Sequence, residues 1–175
     1  MKVICVIVMS VDGKTTQGNN PSIYHWTSKE DQDYFFSLLN QHTLLLMGRN
    51  TYEHAKHLMK HVPKRLRIVF TTTPEQFAKE AIPHMLSFTN RPPKEVLQEA
   101  AKKGYKEALL LGGATTNNEF FKDKLVDEVW ITTEPYLFGN GQPFMTQKLL
   151  IKLQLINIEK LNSQGTLLLK YKVLA

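Results

Sequence analysis

Leu44-Leu45-Leu46-Met47-Gly48-Arg49-Asn50-Thr51-Tyr52-Glu53 changes character at its glycine. Four apolar residues with the length of a buried strand precede Gly48, and a helical pattern starts directly after it. The same change recurs in Ala108-Leu109-Leu110-Leu111-Gly112-Gly113-Ala114-Thr115. A helix start offers unpaired N–H groups and the positive end of a dipole, which suits phosphates. Glycine lets a ligand approach the backbone closely. If the two strands are neighbours, the two junctions can hold one pyrophosphate between them. No G-x-G-x-x-G and no G-x-x-x-x-G-K-[ST] occurs, so neither a Rossmann fingerprint nor a P-loop is indicated.

The rest of the chain extends this pattern. Apolar runs read as strands at 2–9, 43–47, 66–70, 84–88, 107–111, 126–133, 153–160 and 165–173. Helical periodicity falls at 28–41, 50–60, 74–81, 93–103 and 115–123. Alternation of this kind predicts an α/β fold with a largely parallel sheet. The last two strands flank Leu161-Asn162-Ser163-Gln164-Gly165, which reads as a hairpin. The expected architecture is a central mixed β-sheet flanked by helices and closed by a C-terminal antiparallel hairpin. Ser28 with Asp31 has capping-box spacing, Thr73-Pro74 reads as a helix start, and Gly104 reads as a helix stop.

Composition narrows the class. A chain of 175 residues, 42% of them hydrophobic, is expected to form one globular domain spanning 1–175. No run reaches the length of a membrane span, and the apolar N-terminus reads as a strand, not a signal peptide. The lone Cys5 rules out a disulfide within the chain, reads as a small buried hydrophobe, and fits a reducing, cytoplasmic setting. Lys and Arg number 22 against 16 Asp and Glu, a net charge of +6 that favours an anionic partner. The basic residues are dispersed and not interleaved with aromatics, so no nucleic-acid partner is expected. His54, His57 and His61 lie among Lys56 and Lys60, which argues for a solvated face and against a metal.

Met47-Gly48-Arg49-Asn50-Thr51-Tyr52-Glu53 resembles the Gly-Arg-x-Thr-aromatic-Glu motif of dihydrofolate reductases. Gly112-Gly113-Ala114 resembles the glycine pair before the next cofactor-binding helix of that fold. Ser10-Val11-Asp12-Gly13-Lys14-Thr15 is similar to the Ser-x-Asp-Gly-Lys motif of the reductase domain of riboflavin biosynthesis proteins. Leu125-Val126-Asp127-Glu128-Val129 and Pro135-Tyr136-Leu137-Phe138-Gly139-Asn140-Gly141 resemble two further motifs of that branch. The matches run in order from the first strand to about Phe144.

This resemblance implies a dihydrofolate-reductase-like fold and an NADPH cofactor. Gly48, Arg49, Asn50 and Thr51 would then stand by its phosphates, with Gly112, Gly113, Ala114 and Thr115 opposite. Thr71, Thr72 and Thr73 would approach the adenine ribose and its phosphate. The implied reaction is hydride transfer to a small heterocycle, pterin-like or pyrimidine-like, and a homodimer is a further implication.

Asp31 is the main candidate catalytic acid. It lies in line with Tyr34, Phe35, Leu38 and Leu39, so its carboxylate is aimed along an apolar stripe. The resemblance places a substrate-binding, proton-supplying acid at that helix start. Asp12 and Lys14 are the other candidates for positioning substrate or relaying a proton, and Trp26 and Ser28 are candidates for the pocket wall. Two positions depart from the riboflavin branch. Leu111 stands where that branch carries Glu, and Tyr34-Phe35-Phe36-Ser37-Leu38 lacks its basic residue. The alternative reading is a non-catalytic nucleotide-binding protein of the same fold.

Overall fold

The structure is a computed structural model and describes residues 1–174. Eight strands form one sheet: β1 (Lys2–Ser10), β2 (Leu44–Gly48), β3 (Leu66–Phe70), β4 (Leu86–Thr89), β5 (Glu107–Leu110), β6 (Glu128–Glu134), β7 (Leu153–Lys160) and β8 (Leu167–Val173). Their order is β4-β3-β2-β5-β1-β6-β8-β7. The first six in this order run parallel, and β8 and β7 run antiparallel as the terminal hairpin. Four helices, α1 (Lys29–Gln41), α2 (Arg49–Ala55), α3 (Pro93–Lys102) and α4 (Ala114–Lys122), complete the mixed α/β fold.

The central strands are apolar on both faces because both faces are covered. Along β2, Leu44 and Leu46 belong to one core with Val96 and Leu97 of α3 and Phe120 and Phe121 of α4. Leu45 and Met47 belong to the other core, with Leu38 of α1 and Tyr52 of α2. This is the two-residue alternation of a strand sandwiched between helices. The edge strand β7 is exposed along its whole length, although Leu153, Leu155, Ile156 and Ile158 lie in it.

Three expectations of the sequence change. The helix read over 50–60 stops at Ala55 and becomes a tight 3-10 turn, Lys56–Leu58. Tyr52 is the only buried residue of α2, so no apolar stripe supports further turns. The helix read over 74–81 is a 3-10 turn, Pro74–Phe77, that buries Phe77 alone. Thr73 precedes it but its hydroxyl caps nothing; the N–H of Thr73 instead donates to Thr71 Oγ1 at 3.3 Å. The strand read from 84 begins at Leu86, because His84 takes a positive φ in the turn before it. The remaining elements agree to within two residues or so. Gly104 ends α3 with φ +93, and Asn162 Oδ1 accepts from the N–H groups of Gly165 and Thr166 to shape the hairpin turn.

Phe120 is fully buried and meets Phe70 edge-on at 5.5 Å. Phe120→Ala is expected to cost about 3–5 kcal/mol in denaturant unfolding, whereas Leu150→Thr, at a fully exposed position outside the sheet, is expected to stay within about 0.5 kcal/mol.

Candidate active site

The sheet order brings the expected site residues to one edge. All of β3, β2, β5, β1 and β6 end at the same side, as parallel neighbours. Thr71 follows β3, Gly48 ends β2, Gly112 follows β5, Asp12 follows β1 and Glu134 ends β6. Ligands in open α/β sheets collect at these carboxyl ends.

The two glycine junctions meet face to face. The Gly48 N–H donates to the Gly112 carbonyl at 2.7 Å, and the Leu111 N–H donates to the Leu46 carbonyl at 2.8 Å. A Cβ on Gly48 would collide with Thr116 Oγ1 of α4, and a Cβ on Gly113 would reach Thr51 Oγ1 of α2 at 3.4 Å. Each glycine thus lies against the helix that follows the other junction. The peptide between Gly112 and Gly113 is cis, and Gly112 has φ +83. Neither α2 nor α4 has a side-chain cap, so their first N–H groups receive no capping oxygen from a side chain. Asn50, Ala114 and Thr115 lie in these first turns. Arg49 is exposed and pairs with Glu53 at 3.7 Å. At the end of β3, Thr71 is buried, Thr72 is exposed, and Thr73 Oγ1 is buried without a partner. A glycine-lined crevice with two uncapped helix starts and a spare hydroxyl fits the phosphates of a dinucleotide.

On the other half of the edge, Asp31 is 5% exposed and Glu134 is 1% exposed. The capping box is only half formed. The Asp31 N–H donates to Ser28 Oγ at 3.2 Å, but the Ser28 N–H donates to Glu134 Oε1 at 2.7 Å, not to Asp31. Glu134 Oε2 accepts from Thr166 Oγ1 at 2.7 Å. The Asp31 side chain is therefore free to turn inward to Thr132, buried on β6. Burial pushes its pKa up to about 6; the Thr132 hydrogen bond opposes this, and the charge of Glu134 adds to it. Sequence reasoning missed Glu134. Its only signal is a carboxylate at the last position of a strand, directly after Thr132 and Thr133.

Asp12 is fixed by hydrogen bonds at the end of β1. Its carboxylate accepts from Ser10 Oγ at 2.6 Å and from the N–H groups of Phe138 and Gly139 at 3.1 and 2.8 Å. These bonds hold its pKa down at about 2. Asp12 is a loop anchor here, ionised throughout the neutral range. Phe138, held in place by Asp12, meets Trp26 edge-on at 5.1 Å and stacks on Tyr136 at 6.0 Å. Trp26, Ser28, Glu134, Tyr136 and Thr166 line a cleft of about 290 Å³, and the buried Trp26 Nε1–H has no partner. Lys14 is half-buried and pairs in an isolated bridge with Pro143, and it is not among the residues that line the cleft.

Known proteins resemble this chain in sequence and in fold. The Bacillus subtilis protein YwjB, uncharacterized, is 27% identical over 171 residues, covering 94% of this chain and 90% of its own. A pyrimidine reductase-like protein from Corynebacterium diphtheriae superposes with TM-score 0.79 at 12% identity, over 99% of this chain and 92% of its own. A Thermotoga maritima diaminohydroxyphosphoribosylaminopyrimidine deaminase/5-amino-6-(5-phosphoribosylamino)uracil reductase superposes with TM-score 0.77 at 16% identity, over 99% of this chain and 56% of its own. The structural likenesses establish the dihydrofolate-reductase-like fold. Residues 1–167 match the RibD C-terminal domain, and the chain belongs to that family.

Proposed function

We propose that this protein is an NADPH-dependent reductase that transfers a hydride to a small pyrimidine-like or pterin-like heterocycle. The observation that carries the reading is one sheet edge with two complementary halves. An uncapped glycine crevice on β2 and β5 lies at the same sheet edge as a buried acid pair, Asp31 and Glu134, beside β6. The family and its reductase relatives support the same class of chemistry.

Gly48, Thr51, Gly112, Gly113, Ala114 and Thr115 would hold the pyrophosphate, with Arg49 and Thr71–Thr73 toward the adenosine end. When bound, NADPH supplies the hydride. The protein supplies the rest. Trp26 and Tyr136 wall the cleft, Lys14 approaches the substrate side, and Asp31 holds its proton up to about pH 6. An acid with a pKa of about 6 can give that proton to a ring nitrogen as the hydride arrives. Glu134 keeps Asp31 out of the capping role and stays an acceptor. The single buried Cys5 suits action in the reducing cytoplasm. A homodimer through the exposed edge of β7 is part of the proposal, since Leu153, Leu155 and Ile158 are left open there.

Calorimetric titration with NADPH and with NADH tests the cofactor directly. Micromolar binding with NADPH preferred is expected, and no binding of either would overturn the reading. Gly113→Ala is expected to fold, because the new methyl meets only Thr51 Oγ1, yet to lose tenfold or more in dinucleotide affinity.

Asp31 also makes a pH prediction. Its folded pKa is raised above the unfolded value of 3.8, so its effect on stability is most favourable at low pH. Stability is lost as pH rises through about 6. Asp31→Asn is therefore expected to abolish reductase turnover while raising stability above pH 7 by about 2 kcal/mol, and to flatten the fall between pH 4 and 6. Urea unfolding at several pH values checks this; an unchanged slope would remove Asp31 as a buried titrating acid.

Sedimentation velocity tests the dimer. Ile158→Lys is expected to convert a dimer to a monomer, and a monomeric wild-type protein would remove this part of the proposal.

A further inference from the structure

The segment from His54 to Arg67 holds Lys56, Lys60, Lys64, Arg65, Arg67 and three histidines, and no carboxylate. Most of it lies on the surface, but Arg67 does not. Arg67 is 3% exposed, in the middle of the sheet between Leu45 of β2 and Leu86 of β4. Its NH2 group donates to the Lys60 carbonyl at 2.9 Å, and its NH1 group is buried without a partner. Arg65 lies just before β3, close enough for its charge to act on Arg67. It donates to Asn40 Oδ1 at 3.2 Å, and its Nε–H is also buried without a partner.

A buried guanidinium is normally matched by a carboxylate, because an uncompensated charge in the interior is costly. Among the described residues neither arginine forms an ion pair. The charged groups near Arg67 are cationic instead. Burial lowers the pKa of Arg67 and the charge of Arg65 lowers it further; partial burial likewise lowers that of His61, with the charge of Arg67 adding to it. The neutral Lys60 carbonyl supplies a single acceptor. This corner has N–H donors and positive charge in excess and lacks an anion.

We propose that Arg67, Arg65 and His61 form a binding site for a small oxyanion of the phosphate type. A dianion would satisfy the two spare N–H groups and offset both guanidinium charges, and His61 would cover it from the surface. The cover over Arg67 is Met59–Lys64, a strap without regular helix or strand, which can move aside more readily than a packed element. The site is separate from the glycine crevice. Arg67 lies three residues before Phe70, the register partner of Gly48, and so about 10 Å back along the strand. One pyrophosphate cannot fill both. The proposal does not depend on the reductase reading.

Thermal unfolding of the cofactor-free protein in phosphate and in chloride, at equal ionic strength, tests it. A phosphate concentration tenfold above Kd is expected to raise Tm by about 3–6 °C. Arg67→Met should remove most of that rise, and its own Tm in chloride should be no lower than that of the wild-type protein. His61→Gln, a surface change, should weaken phosphate binding several-fold without altering Tm in chloride. Arg49→Met, at the crevice, should keep the rise. Equal Tm values for the wild-type protein in the two salts would overturn the proposal. So would a rise that survives Arg67→Met and disappears in Arg49→Met, which would place the phosphate in the crevice.

Discussion

The buried carboxylate of Glu134 joins three parts of the chain far apart in sequence. Glu134 ends β6, accepts from the backbone N–H of Ser28 at the start of α1, and accepts from the hydroxyl of Thr166 just before β8. Each bond is 2.7 Å, and Glu134 and Thr166 are shielded from water. Hydrogen bonds to an ionised acceptor in such surroundings are among the stronger ones in a protein. Without this carboxylate the Ser28 N–H would need Asp31 to close its capping box. The arrangement moves a capping duty from a neighbour in sequence to a neighbour in space. It thereby releases Asp31 to face Thr132.

That release explains how two acids of one site come to differ. Asp31 is buried, has a hydroxyl partner and a second carboxylate nearby, and is held largely protonated up to about pH 6. Asp12, on the adjacent loop, collects one hydroxyl and two backbone N–H donors and is held ionised. Environments that push acids apart are how a site separates a proton donor from a structural anion. Asp12 acts on the cleft at one remove: it fixes Phe138, and Phe138 fixes the edge of Trp26.

The fold was legible because its signals are local. Continuous apolar runs ending in Gly48 and Gly112 announce buried parallel strands, and the register Gly48↔Phe70 and the Gly48–Gly112 hydrogen bond confirm the neighbourhood they require. Helices 50–60 and 74–81 were over-read because periodicity was weighed without burial; one buried side chain each, Tyr52 and Phe77, holds only a turn or two. The burial of Asp31 and the meeting of the two glycine junctions were legible from spacing and from family resemblance. Glu134, Thr132 and Thr166 were not, because their significance comes from contacts spanning 32 to 106 residues. The loop-anchoring bonds of Asp12 were not legible for the same reason: two of its partners are Phe138 and Gly139, which no spacing rule connects to it.

The same difference between local and distant information bears on Leu111. The riboflavin branch carries an acid there, and here an apolar side chain packs with Leu109 and Met47 against the α1 and α2 face. A carboxylate at that position would stand next to the glycine crevice. In this chain the buried acid stands instead at Glu134, two strands away across β1. The crevice is thus left without a fixed negative charge of its own, which suits the phosphates of a dinucleotide. The acidic groups are gathered on the side where a proton must be held. The sheet order therefore sorts charge along one edge, donors over β2 and β5 and acids over β6, with the β1 loop and its Lys14 between them.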